Sequence, residues 1–351
     1  MTKEKIMIAM SGGVDSSVAA WLLKQQGYDC MGAMMSLFSP EQIGITPKED
    51  GRDARRIADL LSIPFMTYDC SEAFRQHVID YFIQSYLEGI TPNPCVVCNS
   101  TMKFGHLLSL AQAEGCEKIA TGHYARIERD GNGRYQLIRA VDDSKDQSYV
   151  LWQLTQDQLA HTLFPLGSMT KNEIRELALA NGFCNAERRD SQDICFIPDG
   201  DYVGFIERIT GLKFPSGNFI DLEGNILGKH EGHLRYTIGQ RKGLGIAFGK
   251  PTYVCEKNAK TNTVTLGDND ALFRRELVAH RINLIAADRI NVPIRVEAKI
   301  RYKASPARAT AEQIDEDRLL LHFDEPQRAI SPGQSVVMYD GNCVIGGGII
   351  S

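Results

Sequence analysis

The sequence predicts an α/β protein: a parallel-sheet nucleotide domain, then a small β-rich domain, then a C-terminal antiparallel β-barrel. Three observations predict it. A short apolar run, Ile6 to Met10, leads into Ser11-Gly12-Gly13-Val14-Asp15-Ser16-Ser17 and then into a helical pattern of Val18, Trp21, Leu22 and Gln25. Strand-like and helix-like segments then alternate through the first part of the chain, the signature of a parallel sheet covered by helices on both faces. From about Gly211 glycine is frequent and helical periodicity fades. The expected domains are 1–205, 206–272 and 273–351. A chain of 351 residues with 43% hydrophobic and 24% charged residues has the composition of a soluble globular protein of two or three domains.

The first domain builds up in order. Gly27 stops the first helix. Cys30 to Leu37 reads as a second strand, Glu49 to Leu61 as a helix burying Ala54, Ile57, Ala58 and Leu61, and Pro64 to Tyr68 as a third strand. Phe74, Val78, Phe82 and Tyr86 mark another helix, followed by a helix from Lys103 to Glu114 and a strand from Lys118 to Thr121. Ala125 to Ala140 is expected as a hairpin around Asp130-Gly131-Asn132-Gly133. Lys145-Asp146-Gln147 opens the next helix, and Thr170 with Glu173 forms a capping box. The middle domain shows β-like runs at Asn218 to Asp221, His233 to Thr237, Thr252 to Glu256 and Thr263 to Leu266. Six short strands follow: Val278 to Ile285, Ile294 to Tyr302, Ala309 to Gln313, Arg318 to Phe323, Ser335 to Tyr339 and Cys343 to Ile350. They suggest a small closed barrel.

Strand, glycine-rich turn and helix together build an anion site, because glycines let backbone N–H groups approach a phosphate and the helix start adds its positive end. Ser11, Ser16 and Ser17 add hydroxyl donors, and Asp15 suits a cation or a helix cap. No Lys-Ser/Thr follows the glycines, so this is not the Walker loop. The stretch matches the PP-loop of ATP pyrophosphatases, which cleave ATP between the α- and β-phosphates and place AMP on a substrate oxygen. Gly122, after the strand from Lys118, is expected to let a base or ribose approach the backbone.

Two cysteines follow a proline-rich stretch, Thr91-Pro92-Asn93-Pro94-Cys95-Val96-Val97-Cys98-Asn99, and a third, Cys195, lies in Asp190-Ser191-Gln192-Asp193-Ile194-Cys195-Phe196-Ile197. The prolines are expected to fix an extended loop between two helices. An adenylated oxygen is a good leaving group and needs a strong nucleophile, which a thiolate provides. If the incoming atom is sulfur, one cysteine can carry it as a persulfide and a second can release it, forming a transient disulfide. That chemistry predicts two cysteines distant in sequence and adjacent in space, with thiol pKa values lowered by helix N-termini and nearby Lys or Arg. Structural zinc lacks support, since no second C-x-x-C or paired His at finger spacing is present. Nine scattered cysteines, an odd number, argue against a disulfide framework. With no apolar run of membrane-spanning length and no signal peptide, a reducing cytoplasm is expected. The net charge of -5 neither advertises nor excludes a nucleic-acid partner.

With these motifs in place, the chain resembles, almost end to end, the bacterial tRNA-uridine 2-sulfurtransferases (tRNA-specific 2-thiouridylases). The resemblance rests on the stretches above, on Thr121 to Tyr124 and Lys145 to Tyr149, and on the run from Arg235 to Gly245. It continues in Arg301-Tyr302, in Ser331 to Gln334 and in Gly346 to Gly348. It implies ATP-dependent formation of 2-thiouridine at the wobble position of tRNA. Ala9, Met10, Ser11, Gly12, Gly13, Val14, Asp15 and Ser16, with Met35 and Gly122, would bind ATP. Cys98 would be the nucleophile and Cys195 the persulfide carrier. Asn93, Pro94 and Cys95 would meet the target base. His123, Lys145, Asp146, Gln147, Arg301, Tyr302 and Gln334 would contact tRNA. Mg2+ would shield the phosphates, and a cysteine desulfurase or a sulfur relay protein would supply the sulfur. Where better-known members carry an Asp, this chain carries Cys95. Cys95, Cys98 and Cys195 could therefore hold a [4Fe-4S] cluster, as in related tRNA thiolases, and both the persulfide relay and the cluster stay open. Two other readings are a PP-loop ligase acting on a small molecule, which would not need Cys98 and Cys195, and a non-catalytic RNA-binding Fe–S protein, which would release no pyrophosphate.

Overall fold

A computed structural model describes residues 3–39, 51–187, 194–246 and 249–351. Residues 49 and 50 of the helix expected from Glu49, and Asp190 to Asp193, lie outside the described residues.

The first sheet is wholly parallel. It comprises β1 (Lys5–Ala9), β2 (Asp29–Ser36), β3 (Phe65–Asp69), β4 (Lys118–Ala120) and β7 (Thr162–Leu163), in the order β3-β2-β1-β4-β7. Alternation along β1 explains the two covered faces. Ile6 and Ile8 pack with helix Val14–Gln25, Ile57 and Ile174 on one side, and Met7 packs with Phe104, Leu107 and Trp152 on the other. The strand order reverses at β1, between β2 and β4, and a ligand crevice is expected there, beyond the carboxyl ends of the strands. The glycine-serine loop leaves β1 at that point.

The hairpin expected at Ala125 to Ala140 forms as β5 (Ala125–Arg129) and β6 (Tyr135–Arg139). It joins the C-terminal sheet, β6 meeting β17 at Ile138 and Cys343. That sheet closes. Strands β12 (Phe273–Leu284), β15 (Leu319–Arg328), β14 (Ala307–Gln313), β13 (Ile294–Lys299), β16 (Ser335–Asp340) and β17 (Cys343–Ile350) pair antiparallel in that order, and β12 also pairs with β17. The barrel is locked to the first unit by buried polar contacts. Trp152 Nε1 donates to Ser335 Oγ at 2.9 Å, Tyr149 Oη donates to the Ser335 carbonyl at 2.8 Å, and Asn283 Nδ2 donates to the Trp152 carbonyl at 2.8 Å.

The middle sheet, β10-β11-β8-β9, contains β8 (Gly217–Ile220), β9 (Ile226–His230), β10 (Tyr253–Asn258) and β11 (Thr263–Gly267). Two sequence expectations change. His233–Arg235 is a 3₁₀ turn rather than a strand, with His233 and Leu234 buried. The strand Ile226–His230 was not expected, because Gly228 interrupts it and Ile226 and Leu227 face outward.

The larger change concerns Cys95 and Cys98. They follow the proline-rich loop, which ends at Asn93, but the helix expected from Lys103 begins already at Pro94, and both sit in the first turns of a helical run spanning 94–113. Pro94 takes the first helical position, where its missing N–H costs nothing and its fixed φ suits the helix. The stretch Cys98–His106 is wound as a π-helix, with i to i+5 hydrogen bonding, a form concentrated at functional sites.

Candidate active site

The glycine-serine loop is held from behind. Met10 N–H donates to the Ala33 carbonyl at 2.8 Å. Ser16 and Ser17 hydroxyls both donate to the Gly13 carbonyl at 3.0 Å. Buried Asn185 donates from Nδ2 to the Gly12 carbonyl at 2.8 Å and to Ser17 Oγ at 2.9 Å. Gly12 has φ +80°, a backbone that side-chain-bearing residues rarely adopt. The first N–H groups of the helix have no partner within it, and an anion is their natural complement.

Asp15 neither caps this helix nor stands ready for a cation. Lys171 Nζ donates to its two oxygens at 2.8 and 2.9 Å, and Tyr124 Oη donates to it at 2.7 Å. Lys171 is buried at the start of helix Lys171–Ala180, which the Thr170–Glu173 capping box sets as expected. Magnesium asks for several hard oxygen donors. The glycine-serine loop offers one carboxylate, already paired with Lys171, so the loop does not by itself make a magnesium site.

Gly122 also has a packing role, beside its place in the cavity over the loop. A Cβ at this position would lie 2.8 Å from the Asp15 carbonyl carbon and 2.8 Å from Ser16 N, so the glycine lets β4 close against the loop helix. Gly122→Ala is expected to push the loop out of place, costing about 1–3 kcal/mol of stability. ATP affinity should fall about tenfold or more, for a shift of about 1.4 kcal/mol. Calorimetric unfolding and nucleotide titration check both.

A cavity of about 870 Å³ opens over the loop. Its lining brings together the expected Ala9, Met10, Ser11, Gly13, Val14, Asp15, Ser16, Met35, Gly122, His123, Lys145, Asp146, Gln147 and Tyr302, and adds Lys103, Tyr124, Lys171, Lys299 and Lys303. Barrel residues thus face the nucleotide loop across one space. Gly12, Asn93, Pro94, the three cysteines, Arg301 and Gln334 lie outside this lining.

Six residues expected to touch tRNA are engaged within the protein. Asp146 is buried and accepts from Ala140 N–H at 3.0 Å and Ser148 Oγ at 2.8 Å, and it pairs with Arg139 at 3.4 Å. Gln147 accepts the Tyr124 N–H at 2.9 Å. His123 is buried between Phe104 and Phe164. Gln334 donates to the Thr91 carbonyl at 2.9 Å, and Thr91 N–H donates to the Pro332 carbonyl at 3.1 Å, so the barrel grips the stretch before the cysteine helix. Tyr302 is 38% exposed, its hydroxyl donating to the Asp146 carbonyl at 3.2 Å, and Arg301 donates to the Arg328 carbonyl at 2.6 Å.

The three thiols share one neighbourhood. Cys95 and Cys98 both bear electrostatically on Cys195, and Lys103 bears on all three. Cys98 is buried, whereas Cys95 and Cys195 keep an exposed face. The pKa expectation is reversed. Desolvation outweighs Lys103, raising Cys98 to about 11 and Cys195 to about 12, and raising Cys95 as well. Iodoacetamide alkylation of Cys98 in the free protein should therefore be slow at pH 7 and still climbing above pH 9, which peptide mapping by mass spectrometry reads directly. Among the described residues, no three His, Cys, Asp or Glu side chains are gathered closely enough to hold a metal ion.

Sequence reasoning missed Lys103, Tyr124, Lys171 and Asn185 as site residues. Tyr124 and Lys171 meet Asp15 across 109 and 156 residues of chain, and Asn185 reaches Gly12 across 173. The one local signal was the capping box, which puts Lys171 at a helix start.

Comparison with known proteins agrees along the whole chain. The family described as tRNA methyl transferase HUP domain matches residues 4–199, a tRNA methyl transferase PRC-barrel domain matches 204–268, and an aminomethyltransferase beta-barrel domain matches 274–350. The tRNA-specific 2-thiouridylase MnmA of Clostridioides difficile (strain 630) is 51% identical over 353 residues, covering 99% of this chain and 98% of that protein. The protein of the same name from Clostridium acetobutylicum is 48% identical over 354 residues, covering 99% of each. Among solved structures, the U34-tRNA thiolase NcsA of Methanococcus maripaludis with its [4Fe-4S] cluster aligns at 16% identity and TM-score 0.34, over 59% of this chain and 70% of that one.

Proposed function

Because this chain belongs to the tRNA-specific 2-thiouridylase family, we propose that it replaces the 2-oxygen of the wobble uridine of tRNA with sulfur at the expense of ATP. The 2-oxo group attacks the α-phosphorus, pyrophosphate leaves, and the base carries AMP on that oxygen. The glycine-serine loop and the helix start hold the phosphates, with Met35 and Gly122 completing the nucleotide site.

Sulfur then arrives through the thiols. Cys195 carries it as a persulfide, delivered by a cysteine desulfurase or a sulfur relay protein. The terminal sulfur forms a bond to C2 of the base, the C2–O bond breaks, and AMP departs with its electron pair. Cys98 attacks the Cys195 sulfur, releasing 2-thiouridine and leaving a Cys98–Cys195 disulfide. A thiol reductant returns both cysteines to the reduced state, which suits the cytoplasm. Cys95 and Asn93 sit at the helix start where the target base would arrive. Gln334 and Pro332 of the barrel hold Thr91 and Pro92, just before them. Lys145, Arg301 and Tyr302 offer charge and a stacking surface for tRNA. Asp146, Gln147, His123 and Gln334 act from behind that surface. Residues 1–205 supply the catalysis, 206–272 the connecting β unit and 273–351 the tRNA-facing barrel. Among the described residues, no helix is long and apolar enough to cross a membrane.

The observation that supports the reading most is the sharing of one neighbourhood by Cys95, Cys98 and Cys195, beside a nucleotide cavity that Lys103 also lines. Mixing the protein with ATP and unmodified tRNA should release pyrophosphate only when both are present, and 2-thiouridine should appear by nucleoside mass spectrometry once a sulfur donor is added. Pyrophosphate release independent of tRNA would overturn it.

A further inference from the structure

Lys103 stands where the two halves of the site meet. It lines the cavity over the glycine-serine loop, and it lies on the helix that carries Cys95 and Cys98. The π winding of Cys98–His106 brings it there. In an α-helix, residues five apart point about 140° away from each other. In a π-helix the hydrogen bond runs from i to i+5, so Cys98 and Lys103 stack on one face of the run.

The lysine is also held in place. Thr121 Oγ1 lies 2.7 Å from His123 Nδ1, and Lys103 Nζ lies 3.5 Å from His123 Nε2. His123 is buried and its pKa is pushed well below the usual range, by desolvation first and by the Lys103 charge second. The neutral ring donates from Nδ1 to Thr121 and keeps the Nε2 lone pair for the ammonium. Among the described residues Lys103 makes no ion pair with a carboxylate, and its one described partner is His123 Nε2.

An anion must form at this junction in the reaction proposed above. When sulfur bonds to C2 of the adenylated uridine and the C2–O bond breaks, the electron pair leaves with AMP. We propose that Lys103 is a catalytic residue, its ammonium contacting the phosphate of the adenylated base as AMP departs, with His123 as the residue that positions it. This inference rests on the 2-thiouridylase reading. It also gives the buried His123 a role that needs no contact with tRNA.

The test uses the full-length protein, persulfide-loaded, in single turnover with ATP and unmodified tRNA. Lys103→Met should thiolate about 10²-fold or more slowly, the usual loss when a group that stabilises a transition-state charge is removed. Affinities for tRNA and ATP should stay within about threefold, because the contact strengthens only as charge develops. Lys103→Arg keeps the charge and should recover thiolation to within about tenfold of the parent. His123→Ala should lower the thiolation rate while leaving ATP and tRNA affinity unchanged. A Lys103→Met protein thiolating within about threefold of the parent overturns the proposal. So does a folded Lys103→Arg protein as inactive as Lys103→Met, or a loss of tRNA affinity equal to the loss of rate. If the parent itself makes no 2-thiouridine, the underlying function falls, and this inference with it.

Discussion

Cys98→Ser and Cys195→Ser are each expected to abolish thiolation, down to background, while mixing ATP with tRNA still releases pyrophosphate. The split follows from the geometry. The loop, Met35 and Gly122 surround the nucleotide cavity, and neither cysteine lines it. Activation of the 2-oxygen therefore does not need a thiol. In the proposed relay transfer needs both, because Cys195 would carry the sulfur and Cys98 would free the product from it. Residues that act as one unit are not additive, so the double variant should be no slower than either single one. Quench-flow assay of pyrophosphate and 2-thiouridine in the same samples reads the two steps separately. Loss of pyrophosphate release together with thiolation would place the cysteines in the activation step instead.

Asp15→Ala is expected to be the most destabilising change in the nucleotide site. Lys171 has 6% of its side chain exposed and holds both Asp15 oxygens. Removing that carboxylate leaves a buried ammonium short of its counter-charge, which costs about 3–5 kcal/mol when both partners are well buried. Asp15 is 30% exposed, so the lower end, about 3 kcal/mol, is expected. Tyr124 also loses its acceptor. The combined Asp15→Ala/Lys171→Met protein should recover much of this loss, because no unpaired charge remains, yet should still bind ATP weakly. Differential scanning calorimetry and nucleotide titration on the three variants measure both effects. Equal stability of Asp15→Ala and the parent would mean that the pair contributes nothing.

The residues differ in how openly they announce these roles. Ser11 to Ser17 was legible because the strand, the turn and the helix start all lie within one local stretch. The six barrel strands were legible too, their turns being marked by residues such as Asp340-Gly341-Asn342. The hairpin was visible, but its partner was not: β6 meets β17 at the far end of the chain, and no local pattern carries such a pairing. The helix start at Pro94 was missed, with the helix expected only from Lys103, because two prolines suggested an extended loop. The thiol pKa values were misjudged in sign for a related reason. A helix start and a lysine are readable in sequence, but the crowding that desolvates Cys98 and Cys195 exists only in the fold. Asp15 likewise read as a cation site because Lys171 and Tyr124 reach it from distant parts of the chain.

The most direct measurement of the central claim follows one sulfur atom. The protein is loaded with radioactive sulfur by a cysteine desulfurase, freed of donor, and given ATP and unmodified tRNA with no other sulfur present. The label should move from Cys195 to 2-thiouridine, one atom per loaded chain, leaving a Cys98–Cys195 disulfide detectable by non-reducing peptide mapping. Label that stays on the protein, or product formed without that disulfide, would contradict the relay.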